Sequence, residues 1–403
     1  MTRISSSFYF ERMKAELGRQ QTALARNQEQ IGTGKKLLRP SDDPAASARL
    51  LDIKQSVASL KQYRENGVHA EQRLGMEETT LESVTELLQR VQTLAVAASN
   101  SAIQSEETRA AYAAEVRERL EALVDLGNTR NGDGEFLFSG FKGKTMPFVK
   151  QGDTVIYQGD QGRPSVHVGP DREVAVGDSG DAVFMRSRDG NGQVTVGAAA
   201  GNTGTGVIDP ATVVDAAATT TADYEVVFTS STTFDVVNTT TSATVLAAQT
   251  FVDGSAFEFD GLSVSISGTP ANGDRFTVSP SRSVSVFKTL QDFIDTLDAP
   301  NSTVQEKTRY KQDMASVLSN LEQAQDHMLR TRASVGARLN AVDTTDDDSE
   351  AALAQLSVTM SEIEDLDYAE AISQMQFRLT TLEAVQKTFV NLQNTTLIGQ
   401  LRF

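Results

Sequence analysis

The chain has 403 residues, enough for two or three domains with cores of their own. Its net charge of −17 lacks the basic stripe that phosphate contacts need and disfavours an anionic membrane surface, so neither nucleic acid nor membrane is an expected partner. With no cysteine and no tryptophan, disulfides, thiolate metal centres and cysteine nucleophiles drop out, and no cofactor is expected.

The first ten residues, Met1 to Phe10, lack the apolar stretch of a cleaved secretory signal. No run approaches the roughly 20 apolar residues of a membrane-spanning helix. Phe10, Leu17, Leu24 and Ile31 then recur every seven residues, while Gln20 and Asn27 stand where a second apolar column belongs. One column does not hold a solitary helix together. Residues 1–40 are therefore expected to be unstructured alone and to order as a terminal helix against a partner. The nearest such partner is the thin stripe of residues 370–403.

Ser41-Asp42-Asp43-Pro44 is a helix start, with Asp43 free to cap backbone N–H groups and Pro44 suited to the first turn. Behind it Ile53, Val57, Leu60 and Gly67 stay in phase with Leu74, Leu81, Val84, Leu88, Val91, Ala95 and Ala98, so one helix is expected from Pro44 to Ala98. A break at Ser99-Asn100-Ser101 follows, and Ser105 caps a second helix to about Gly127. These belong to residues 41–144, the first part of a helical middle domain.

Residues 145–282 change character. They hold 16 of the 28 glycines and 6 of the 9 prolines, with 7 Lys/Arg against 16 Asp/Glu. Alternating runs at Thr154–Tyr157, Tyr224–Thr229, Phe234–Val237, Phe257–Phe259 and Leu262–Ile266 read as strands of an inserted antiparallel β domain, in one unit or two. Helical spacing returns over residues 283–369: Tyr310, Met314, Val317, Leu321, Ala324 and Met328, then Leu353, Leu356, Met360 and Ile363. The final stripe is Ile372, Met375, Leu379, Leu382, Phe389 and Leu392, broken by Gln386. The fold class is thus α+β, a long antiparallel helical bundle or coiled coil built from both chain ends around an inserted β domain.

Apolar stripes are usually core. Here they are long and lie at both ends, away from the β block, which favours an assembly interface between identical copies. The expected interface comprises Phe10, Leu17, Leu24 and Ile31; Leu81, Val84, Leu88 and Val91; and Ile372, Met375, Leu379, Leu382, Phe389 and Leu392. Ser41, Asp42, Asp43 and Pro44 form the turn and helix cap between domains. Catalytic sets are missing: His69, His167 and His327 share no ligand spacing, and no catalytic or metal residue is assigned. Asp346-Asp347-Asp348 reads as a solvated helix junction, and Glu362, Glu364, Asp365 and Asp367 read as exposed helix charge. Gly201 to Gly206 is a loop without the Lys-Ser/Thr of a phosphate cradle.

Ile31-Gly32-Thr33-Gly34-Lys35-Lys36 with Pro40 to Ala46, Leu88 to Val96, and Ser361 to Ala371 resemble paired motifs of the flagellin superfamily, in its order and across residues 1–145 and 283–403. Asn128 to Phe141 with Thr145 to Phe148, and the tail from Lys387 to Leu397, are similar to its hook–filament junction family, the third hook-associated proteins. Gly261 to Pro280 resembles a β motif common to hook-associated proteins and some flagellins. The resemblance implies an extracellular, non-enzymatic adaptor at the hook–filament junction, exported by the flagellar type III apparatus without a cleaved signal. The partners it implies are further copies of the chain, the first hook-associated protein on the hook side, flagellin on the filament side and an export chaperone at the C-terminal region. The competing readings are a flagellin itself, or a surface adhesin whose β domain binds glycans.

Overall fold

The computed structural model describes residues 6–100, 105–219 and 221–400, with backbone only at 6, 7, 9, 10 and 392–400. Seven helices occur among them: α1 Ser6–Thr33, α2 Pro44–Ser99, α3 Glu106–Gly127, α4 Gly180–Phe184, α5 Val286–Asp298, α6 Val304–Glu364 and α7 Tyr368–Gln400. The chain divides into two compact units, residues 1–65 with 345–403, and residues 66–344. Helices α2 and α6 contribute to both. No helix among the described residues is long and apolar enough to cross a membrane.

In the unit of residues 66–344, α2 packs with α3, α5 and α6. Leu74, Leu81, Val84, Leu88 and Val91 meet Tyr310, Met314, Val317, Leu321, Ala324 and Met328 in one core. The 3–4 spacing puts each set on a single helix face, and all these side chains are 5% exposed or less. Ser105 caps α3 as expected, its hydroxyl accepting the Thr108 N–H. Sequence reasoning missed α5. Its signal was present: Ser285 accepts the Lys288 N–H, and Val286, Phe287, Leu290, Phe293, Ile294 and Leu297 repeat at helical spacing and are buried.

The block expected as an inserted β domain, residues 145–282, divides between two cores. Its first part, with hairpins Phe148–Gln151/Thr154–Tyr157 and Ser165–Gly169/Arg172–Ala175, gives Phe148, Val168, Val174 and Phe184 to the helical core. The segment before it is anchored by Asn128, whose side-chain amide exchanges two hydrogen bonds with the Phe148 backbone, at 2.9 and 3.0 Å. The second part has its own core around Tyr224, Phe228, Phe234, Leu262 and Phe276. There a five-stranded antiparallel sheet runs in the order Ala243–Thr250, Thr233–Asn238, Tyr224–Phe228, Arg275–Pro280, Val194–Ala198. Alternate residues of Tyr224–Phe228 and Leu262–Ser267 point into this core, the period-2 burial of a half-covered strand. The glycine-rich loop wraps an internal carboxylate: Asp274, 2% exposed, accepts the N–H groups of Thr203 (2.7 Å), Gly204 (3.0 Å) and Ala271 (2.8 Å).

Candidate assembly site

In the other unit, α1 and α7 lie side by side and antiparallel, since α1 ends where α7 begins: the Leu366 N–H donates to the Gly34 carbonyl at 3.0 Å. The positions of α1 turned inward are Met13, Leu17, Gln20, Leu24, Asn27 and Ile31, stepping by four and three. Those of α7 are Ala371, Met375, Arg378, Leu382, Val385 and Phe389, with the same steps. Leu17, Leu24, Ile31, Met375, Leu382 and Phe389 thus form the seam of this pair. Gln20 and Asn27 occupy its second column, as the sequence placed them. Asn27 is 6% exposed and its amide nitrogen has no partner among the described residues.

The seam is thin. Apart from Asn27 and Ala371, its side chains are only half-buried. Ile372 and Leu379 belong to a different column, which faces out at 42% and 37% exposure, and Gln386 continues that column. The apparent break in the final stripe is therefore two interleaved columns, one covered and one open. Phe377 and Val390 are also open, at 74% and 51%. Phe10 and Leu392 fall where the side chains lie outside the described residues.

The third expected patch is placed differently. Leu81, Val84, Leu88 and Val91 are 0% exposed inside the chain's own helical core. Helices α3 and α6 lie against α2 here, through the Arg90–Glu115 ion pair and the Gln325 hydrogen bond to the Leu88 carbonyl, so this buried face offers nothing to a second copy.

Two turns meet beside the α1–α7 pair. Gly34 closes α1 at φ +70°, a left-handed conformation where a Cβ would approach the Tyr368 hydroxyl to 2.9 Å. The Lys36 N–H donates to the Glu364 carbonyl at 2.8 Å, so the Gly34–Lys36 turn is stitched to the α6–α7 connection by two backbone bonds. The Glu364 carboxylate takes Lys35 directly and Lys54 at 3.5 Å. The hydrogen bond from Lys35, with both lysine charges, holds Glu364 below its ordinary pKa, and the same bond raises Lys35. Glu364, 9% exposed, is thus an ion-pair centre rather than the exposed helix charge expected from sequence.

The expected cap is in place. Asp43 Oδ1 accepts the Ala46 N–H at 2.9 Å, and Asp42 binds Arg26 at 2.8 Å and the Arg39 N–H at 3.1 Å; Ser41 is exposed and Pro44 opens α2. Asp367 does for α7 what Asp43 does for α2, accepting the Ala369 and Glu370 N–H groups at 2.9 and 3.1 Å. That role was readable as Asp367-x-x-Glu370, the spacing of a capping box. Asp346 is not at a junction but within continuous α6, where its carboxylate makes a two-point pair with Arg64, at 2.7 and 3.0 Å. The Arg64 hydrogen bonds lower the Asp346 pKa.

Residues 4–142 match the bacterial flagellin N-terminal helical region, and residues 198–280 match the D2-like domain of flagellar hook-associated protein 1. Over 182 residues the chain is 30% identical to flagellar hook-associated protein 3 of Escherichia coli, an overlap of 45% of this chain and 56% of that protein. The chain thus spans a little over half the length of this curated relative. Among solved structures, hook-associated protein 3 of Legionella pneumophila superposes with a TM-score of 0.74 at 30% identity, covering 77% of this chain and 98% of that one. FlgL of Xanthomonas campestris does so with a TM-score of 0.68 at 33% identity, covering 76% and 99%. Matched over almost the whole of these two solved proteins and sharing their fold, the chain belongs to the flagellar hook-associated protein 3 family.

Proposed function

We propose that this chain is a non-catalytic structural adaptor of the bacterial flagellum, placed outside the cell where the hook meets the filament. The observation that carries this reading is the α1–α7 pair: a thin seam with Ile372, Leu379, Phe377 and Val390 left open, on a protein whose other cores are closed. Such a pair gains most of its burial from neighbours of its own kind. The proposed partners are further copies of the chain, the first hook-associated protein on the hook side and flagellin on the filament side. Before export through the flagellar type III apparatus, a chaperone would hold the C-terminal region and cover α7. The stitched turns at Gly34–Asp43 and Glu364–Asp367 would fix how α1 and α7 leave α2 and α6. A strain lacking the gene tests this: hooks should form while flagellin escapes into the medium. Normal filaments in that strain would sink the proposal.

A further inference from the structure

Four Asn-Gly pairs occur in the chain, at residues 66–67, 131–132, 191–192 and 272–273. Such a pair sets an electrophile, the side-chain amide carbon Cγ, beside a nucleophile, the backbone nitrogen of a glycine with no side chain to shield it. In three of the four the fold ties that nitrogen down. Gly67 is buried within α2, where its N–H belongs to the helical ladder, and the Asn66 amide nitrogen donates to the His167 carbonyl at 2.8 Å. The Gly192 N–H donates to the Asp189 carbonyl at 3.1 Å, and both ends of the Asn191 side chain are bonded as well. The Gly273 N–H donates to the Phe228 carbonyl at 2.8 Å. Asn131-Gly132 is different. Gly132 is exposed, and its N–H has no hydrogen-bond partner among the described residues. Asn131 Oδ1 instead accepts the N–H groups of Asp133 at 3.0 Å and Glu135 at 2.9 Å. The bond from two residues on folds this side chain back along the peptide that follows it, toward the Gly132 nitrogen. Two donors on one carbonyl oxygen also draw electrons from Cγ and stabilise the negative charge the oxygen gains under attack.

We propose that Asn131 is a site of spontaneous deamidation in the folded protein, with water as the co-reactant. The Gly132 nitrogen loses its proton to solvent base and forms a bond to Asn131 Cγ. The bond from Cγ to the side-chain nitrogen then breaks, and ammonia leaves after taking a proton from water. The product is a succinimide ring joining the two residues. Water adds to one of its two carbonyls and opens the ring, leaving aspartate, or isoaspartate with the main chain running through Cβ. Each event turns a neutral amide into a carboxylate, and neither oxidant nor enzyme is required. The two products differ in consequence. Aspartate keeps an oxygen for the Asp133 and Glu135 N–H groups. Isoaspartate puts an extra main-chain CH2 into a loop whose two sides are held in register. The Asn131 N–H donates to the Glu135 carbonyl at 2.8 Å and the Leu137 N–H to the Thr129 carbonyl at 3.0 Å, while the Arg130 guanidinium lies 4.2 Å from the centre of the Phe136 ring. Phe136, Leu137 and Phe138 are buried just beyond. Isoaspartate at 131 therefore loosens the anchor of the segment that leaves α3. This inference stands apart from the proposed function.

The test uses the unaltered full chain, aged in mildly alkaline buffer and mapped by peptide mass spectrometry, with isoaspartate scored by an isoaspartyl methyltransferase. In the folded chain Asn131 should convert at least about tenfold faster than Asn66, Asn191 or Asn272, a difference of about 1.4 kcal/mol in barrier. In urea strong enough to unfold the chain the hydrogen bonds are gone, and the four rates should converge. Gly132→Ala supplies the control, because its backbone is outside the left-handed region and nothing lies within 4 Å of a Cβ built there. That Cβ shields the nitrogen and should slow conversion at Asn131 about tenfold. Three results would overturn the proposal: another Asn-Gly pair converting first in the folded chain, Asn131 converting only in urea, or an unchanged rate in the Gly132→Ala chain. Amides of residues 129–137 should exchange faster in the isoaspartate fraction than in fresh protein, and unchanged exchange there would remove the loosening.

Discussion

Glu77, on α2, is 2% exposed and faces a cluster of charges. Its Oε1 accepts the Asp178 N–H at 3.2 Å, while Oε2 has no partner among the described residues. Asp178 is itself held by Arg338 and, at 2.8 Å, by Arg163. Burial and the nearby Asp178 carboxylate push the Glu77 carboxyl up to about 8, with Arg338 opposing. Folding therefore takes up a proton between the ordinary carboxylate range and pH 8. Across that window the folded state binds more protons than the unfolded one, so stability falls as pH rises. We expect denaturant unfolding of the full chain between pH 5 and 9 to show this loss, on the order of a few kcal/mol. Glu77→Gln, which cannot ionise, should flatten it; an unchanged slope would remove Glu77 as the cause. The caps act more locally. Asp43→Ala and Asp367→Ala each remove a side-chain acceptor from a helix start and should cost about 1 kcal/mol, whereas Asn at either position should cost far less. Thermal melts of the four variants separate these outcomes.

Among the helices, burial distinguishes side chains that sequence spacing treats alike. Leu88 and Leu379 both sit in apolar stripes, yet Leu88 is 0% exposed and Leu379 is 37% exposed. Leu88→Ala should destabilise the monomer by about 2–5 kcal/mol through the cavity it leaves. Leu379→Ala should change monomer stability by less than about 0.5 kcal/mol and instead weaken assembly. Parallel denaturation and sedimentation of the two variants would expose a reversal. Sequence made α2, α3, α6 and five of the fifteen strands among the described residues legible, the helices because their periodicities are long and their caps explicit, as Ser105 and Asp43 show. Covered and open stripes were not separable, because Leu88 is buried in a core shared with α6, whose Gln325, 237 residues on, donates to the Leu88 carbonyl. The Lys35–Glu364 pair was hidden for the same reason: charged residues in two remote motifs carry no period that links them. The motifs themselves were visible, and their meeting explains why they come as a pair.

For the chain as a whole, the covered cores lie within residues 66–344, while α1 and α7 rest on a half-buried seam. Amide protection should follow that division. In the monomer, residues 11–33 and 368–391 should exchange far faster than residues 74–98, and assembly should slow them. Exchange as slow as that of α2 in the monomer would contradict the reading that neighbours complete this pair.

The contact between Lys35 and Glu364 closes a loop of 329 residues, nearly the length of the chain. On a ribosome α1 is made more than 330 residues before α7, so it waits for its partner while everything between them is synthesised. Each doubling of loop length adds only about 0.6 kcal/mol to closure, so the delay is set by order of synthesis more than by entropy. Contacts this remote in sequence form late in folding as well. The newborn chain therefore carries α1 unmatched while residues 34–367 are made, and the stitched turns form late in its folding.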